Sequence, residues 1–133
     1  MNFPAKLRKY ISSDANETFI LTRGFEKCLF LYPMDEWNKF EESLQSLSSY
    51  DPEDRLFLRS LLEYVMECTL DGQGRLMIPQ EHRDYASIKD QVRIIGTLEK
   101  VELWSPDVYA EYKESHPESY EDIAAKVMRK AHN

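Results

Sequence analysis

The sequence predicts an α+β fold made of two diverged copies of one small β-rich unit, with a helical connector between them. Three observations carry that expectation. Two blocks of the chain recur in the same order, short apolar runs with glycine-bearing turns alternate with proline-opened helices, and the middle of the chain reads as two amphipathic helices.

Within each block the repeat needs no gap. At an offset of 75, Met1 falls on Leu76, Phe3 on Ile78, Pro4 on Pro79, Arg8 on Arg83 and Tyr10 on Tyr85. At an offset of 72, Leu31 falls on Leu103, Tyr32 on Trp104, Asp35 on Asp107, Trp37 on Tyr109 and Phe40 on Tyr112. The change of offset puts three extra residues in the intervening loop of the first copy.

The second copy supplies each expected element. Glu67–Leu70 reads as a strand, Asp71–Gly74 as a turn whose glycines can take positive φ, and Arg75–Ile78 as the returning strand. Pro79 suits the first turn of a short helix over QEHRDYA. Gln91–Ile95 and Val101–Trp104 form a second strand pair around Thr97–Lys100. Ser105 is an N-cap with Pro106 behind it, opening a helix over Tyr109 and Tyr112. The first copy begins opposite Leu76, so nothing in it matches Glu67–Arg75. A sheet lacking that strand leaves backbone groups unpaired, and the expectation is an upstream segment with a strand, a turn and an arginine before Met1.

Trp37, Phe40, Leu44 and Leu47 make one apolar stripe, predicting a helix from about 34 to 48. Asp51 caps the next helix, with Pro52 and Asp54 in its first turn and Leu58, Leu61, Leu62 and Val65 as its stripe. In the tail, Ser119 and Asp122 form an imperfect capping box ahead of a weak stripe of Ile123, Val127 and Ala131. Such a helix is expected to order by packing against a neighbour. The resulting division is 1–40 for the first copy, 41–65 for the connecting helices, 66–112 for the second copy and 113–133 for the tail.

Composition narrows the functional classes. The chain of 133 residues is 42% hydrophobic and 31% charged, the balance of an ordinary soluble globular protein. No run approaches the roughly 20 apolar residues of a membrane span. The start, MNFPAKLRKYISSDANE, is charged where a signal peptide needs an apolar core, which implies a cytoplasmic location. Cys28 and Cys68 lie in apolar runs without CxxC spacing and read as reduced, buried thiols. There is no phosphate-binding G-x-x-x-x-G-K loop, no G-x-S-x-G elbow and no H-E-x-x-H. His82, His116 and His132 lack the spacing of metal ligands. Neither an enzyme nor a metal, cofactor or small-molecule site is indicated.

The net charge of −7 argues against a polybasic grip on nucleic acid. Residues 1–33 carry +2, however, while residues 34–63 carry −5. Any DNA contact must therefore come from a few well-placed cations, multiplied by oligomerisation.

The run TLDGQGRLMIPQEHRDYA resembles the D-x-x-G-R, strand, proline, short-helix signature of SpoVT/AbrB-type swapped-hairpin domains. The order of copy, helical hairpin and copy, together with FILTRGFEKCLFLYPMDEW, resembles the MraZ family of bacterial transcriptional regulators over nearly the whole chain. The resemblance implies an AbrB-like β-barrel in which two tandem repeats interlock, ring-like homo-oligomers, and a place in the cytoplasm and nucleoid. It also implies binding to repeated promoter elements of double-stranded DNA, repressing the division and cell-wall gene cluster. The family's Asp and Arg carry over to Asp71 and Arg75, and its glycine to Gly74; the equivalent pair of the first copy has no position here.

The chemistry of that loop fits the implied role. A guanidinium can grip guanine O6 and N7 bidentately, worth roughly 1–3 kcal/mol of discrimination. Gly72 and Gly74 permit a tight turn, and Asp71 would fix the guanidinium of Arg75 rather than face phosphate. The plainer alternative is a salt bridge that only closes the turn. Arg83, Lys6, Arg8 and Lys9 are candidate phosphate contacts, or simply solvated helix faces. A competing reading keeps the fold but makes it a protein-interaction or antitoxin-like module without DNA binding, consistent with the net acid.

Overall fold

The computed structural model describes residues 18–71 and 73–132. Five strands and five helices alternate in it: β1 (Thr18–Arg23), β2 (Leu29–Pro33), α1 (Met34–Leu44), α2 (Pro52–Leu62), β3 (Met66–Thr69), α3 (Gln80–Ala86), β4 (Arg93–Gly96), β5 (Val101–Trp104), α4 (Pro106–Glu114) and α5 (Tyr120–Ala131). The strands form one antiparallel sheet in the order β3-β1-β2-β5-β4.

Alternation along each strand gives the sheet two apolar faces. Phe19, Leu21, Leu29, Leu31, Val101 and Leu103 point to one side, where Leu70, Leu76, Ile78, Ala86 and Ile88 cover them. Ile20, Phe30, Tyr32 and Trp104 point to the other, against Trp37 of α1 and, half-buried, Phe40, Val108, Tyr109 and Tyr112 of α1 and α4. At β2 and β5 the pairing is Leu29 with Leu103, Phe30 with Glu102 and Leu31 with Val101. Under the 72-residue offset this register maps onto itself, with Phe30 and Glu102 at its centre.

The aromatic docks follow the same correspondence. Tyr32 meets Trp37 and Phe40 at ring-centroid distances of 5.5 and 5.2 Å. Trp104 meets Tyr109 and Tyr112 at 5.1 and 5.2 Å. These aromatic stripes are thus packing residues that seat α1 and α4 on the sheet.

The helix starts form as their caps dictate. Asp51 accepts from the Glu53 and Asp54 amides, Ser105 from Val108 and Ser119 from Asp122. Gln80–Ala86 is helical as expected and ends at Ser87, in the left-handed region at φ 57°. Cys28 and Cys68 are buried and free, and burial pushes the Cys28 thiol up to about 12.

The structure corrects several expectations. The sheet stays open rather than closing into a barrel, because among the described residues β3 and β4 each pair with one strand only. Among the described residues Arg75–Ile78 forms no named strand. Leu76 bridges to Leu70, and the segment then runs into Pro79, which has no amide hydrogen to donate. The Gln91–Ile95 strand is displaced to Arg93–Gly96. The first helix stops at Leu44 rather than 48, where the backbone tightens into i to i+3 bonds. Ser43 and Ser46 promote that ending by donating their hydroxyls to the Phe40 and Ser43 carbonyls. In α2, Leu61 is buried but Leu62 turns outward, about 100° further round the helix. Lys6, Arg8 and Lys9, and the Met1–Tyr10 half of the repeat, lie outside the described residues, as does Gly72.

Candidate nucleic-acid interface

The segment between β3 and α3 folds back on itself through one carboxylate. Asp71 Oδ1 accepts from the Gln73 and Arg75 amides, each at 2.9 Å. Its Oδ2 accepts from Arg75 Nε, also at 2.9 Å. Two backbone bonds complete the turn, from the Asp71 amide to the Arg75 carbonyl and from the Gly74 amide to the Asp71 carbonyl. Gly74 sits at φ 73°, a conformation in which a Cβ would be strained. The Arg75 amide, followed by the guanidinium and the Gln73 amide, holds the Asp71 carboxyl below the ordinary carboxylate range.

The Arg75 side chain is 55% exposed, and among the described residues only its Nε is engaged. Clamping Nε on a rigid turn removes rotamer freedom before any ligand arrives, which lowers the entropic cost of a bidentate contact.

Arg83 is placed differently. On α3 it donates from Nη2 to the Lys89 carbonyl at 2.6 Å, so its guanidinium ties the helix to the following loop. It still lines a hollow of about 190 Å³ together with Met77, Lys89 and Gln91. Arg83 and Lys89 thus bring positive charge beside the segment that carries Arg75.

Residue-by-residue reading missed Met77. In the run Arg75-Leu76-Met77-Ile78, exposure alternates, and Met77 is 82% exposed on the same side as Arg75. The signal was available, since period-two alternation in an extended segment sets positions 75 and 77 on one face. Also missed was Arg23, which acts in the architecture. Its Nε donates to the Ser60 carbonyl at 2.7 Å, its Nη2 to Glu63 at 2.9 Å, and its guanidinium lies 4.3 Å from the Tyr64 ring centroid. His82 is a packing residue, buried edge-on against Tyr64 with Nε2 2.6 Å from that residue's carbonyl oxygen.

Comparison with known proteins agrees with the family resemblance. The family model described as "MraZ protein, putative antitoxin-like" matches residues 1–60 and 62–130. The chain is 43% identical over 122 residues to a protein of Halothermothrix orenii named "Transcriptional regulator MraZ", covering 92% of this chain and 82% of that one. A protein of the same name from Caldanaerobacter subterraneus subsp. tengcongensis is 41% identical over 91% of this chain and 82% of its own length. For that of Natranaerobius thermophilus the figures are 38%, 94% and 85%. With a family model spanning most of its length and relatives this similar, the chain belongs to the MraZ family.

Proposed function

We propose that this chain is a sequence-specific DNA-binding transcriptional regulator that reads double-stranded DNA with Arg75. The observation that carries the reading is the clamped guanidinium: Asp71 holds Nε while the Arg75 side chain stays half exposed. A guanidinium held at Nε keeps two terminal amino groups with which it can make the bidentate contact that a guanine edge offers. Gly72 and Gly74 let the backbone approach the groove, while Arg83 supplies charge toward phosphate. Lys6 and Arg8 are assigned the same phosphate role from their sequence position.

The protein acts as a ring-like homo-oligomer on repeated promoter elements, repressing the division and cell-wall gene cluster, in the cytoplasm and nucleoid. An acidic chain offering few cations gains affinity this way, because subunits joined on spaced repeats can add about 10²–10⁴ in avidity. The self-reciprocal β2–β5 register and the matched aromatic docks support a tandem duplication of one swapped-hairpin unit. The absence of the known enzyme motifs and the relatives' naming as regulators favour a non-enzymatic role.

A gel shift of the full chain against DNA from its own upstream region tests the assignment. The wild type should give a salt-sensitive, sequence-specific shift, and Arg75→Ala should abolish it while the circular dichroism spectrum is unchanged. Equal affinity for the alanine variant refutes the role of Arg75. The net charge of −7 and the family model's antitoxin-like description favour a second reading, a protein-interaction module. Absence of any shift by a folded wild type would select it.

A further inference from the structure

Two residues beyond the clamped guanidinium, the chain places an apolar side chain in solvent. Leu76 and Ile78 are buried in the core on one face of the sheet, whereas Arg75 and Met77 between and before them are exposed. Met77 is 82% exposed. Buried neighbours on either side, and the bridge from Leu76 to Leu70, fix the backbone that carries it. Its place beside Arg75 is therefore set by the core rather than by a loose loop. The hollow that Met77 borders takes in Asp90 as well as Arg83 and Lys89, so its charge is mixed and makes no anion site of its own. What Met77 offers a partner is apolar surface.

The spacing of the two exposed residues suits a duplex. An extended chain rises about 3.3 Å per residue, so positions 75 and 77 lie roughly 7 Å apart on one face. Successive bases of one strand are about 3.4 Å apart along the helix axis. With Arg75 on a guanine and the segment lying along the groove, Met77 comes over a base one or two pairs away. The major groove displays one apolar group among its hydrogen-bonding edges, the C5-methyl of thymine. A methionine side chain, unbranched and polarisable, can close around such a methyl without any hydrogen bond.

We infer that Met77 is a specificity-determining residue that reads the C5-methyl of a thymine one or two base pairs from the guanine held by Arg75. This role rests on the DNA reading by Arg75 proposed above and adds a second base to what one turn recognises. Discrimination comes from removing the methyl and the thioether from water together.

Deleting single methyl groups from the DNA tests the contact. The probe is the duplex that the full chain selects from random-sequence DNA, with deoxyuridine replacing thymine at one position at a time, in every repeat of the site. Deoxyuridine keeps the base pair and loses only the methyl. At one position the wild type should lose about 4-fold or more in affinity, the size expected when one methyl leaves an apolar contact. Met77→Ala should bind the thymine duplex more weakly and be indifferent to deoxyuridine there. Met77→Leu, which restores apolar bulk, should regain the sensitivity. Met77 is exposed, so both variants should keep the wild-type circular dichroism spectrum. Binding that is lost in Arg75→Ala but unaffected by deoxyuridine at every position overturns the role of Met77 alone. A selected site with no thymine within two base pairs of a guanine overturns it too, as does a methyl sensitivity that persists in Met77→Ala. A folded full chain that selects no sequence overturns the reading by Arg75 as well.

Discussion

The two hairpins of the sheet, β1–β2 and β4–β5, share a pattern but not an environment. Leu21 pairs with Leu31 in the first and Ile94 with Leu103 in the second, and Leu31 and Leu103 are equivalent in the repeat. Likewise Thr22 faces Phe30, and Ile95 faces Glu102. Leu21 and Thr22 are fully buried, while Ile94 and Ile95 are only half-buried. Neighbours account for the difference. β1 is hydrogen-bonded on both edges, to β2 and β3, and α2 lies over it through the bond from Thr22 Oγ1 to the Leu61 carbonyl. β4 has β5 on one edge alone among the described residues. Burial is thus a property of position in the sheet, not of a strand's own residues.

The largest expected effect breaks the comparison at its core. Leu21→Ala should cost about 3–5 kcal/mol in urea unfolding and Ile94→Ala about 1–2, since only the first leaves a cavity enclosed on every side. Equal costs would mean that the outer edge of β4 is covered in solution. A smaller effect sharpens it. Thr22→Val removes the hydroxyl that holds α2 onto β1 and should cost about 1 kcal/mol, whereas Ile95→Val should cost less. If Thr22→Val is silent, α2 is held by Arg23 and its contacts to Ser60 and Glu63 instead.

The smallest effect lies in the exposed turn. The Asp71 carboxyl is held below its ordinary value by the Arg75 amide first and the guanidinium next. A carboxyl lowered on folding stabilises the turn above its unfolded pKa, and that contribution is lost as pH falls through the folded value. Exchange protection of the Gln73 and Arg75 amides should therefore be constant at neutral pH and decline only in acid, below the usual carboxylate range. Asp71→Asn should blunt that decline. Loss of protection near neutrality would show that another group governs the turn.

Much of this was legible along the chain. Ser105, Asp51 and Ser119 opened their helices because a cap and its first turn are local chemistry. The correspondence of Tyr32 with Trp104 and of Phe40 with Tyr112 identified which aromatics seat α1 and α4. The Asp71–Arg75 pair was legible for the same reason, since a turn of five residues closes within itself. Leu62 went astray because which side of a helix faces inward depends on residues far away in sequence.

By itself the sequence determined the helix starts and the turn in which Asp71 binds Arg75, because each rests on contacts a few residues apart. Only the tertiary structure decided that, among the described residues, the sheet stays open, Arg83 is tethered to Lys89 and α5 carries its apolar stripe uncovered. Each of those depends on where distant segments meet, and local propensity carries no information about that.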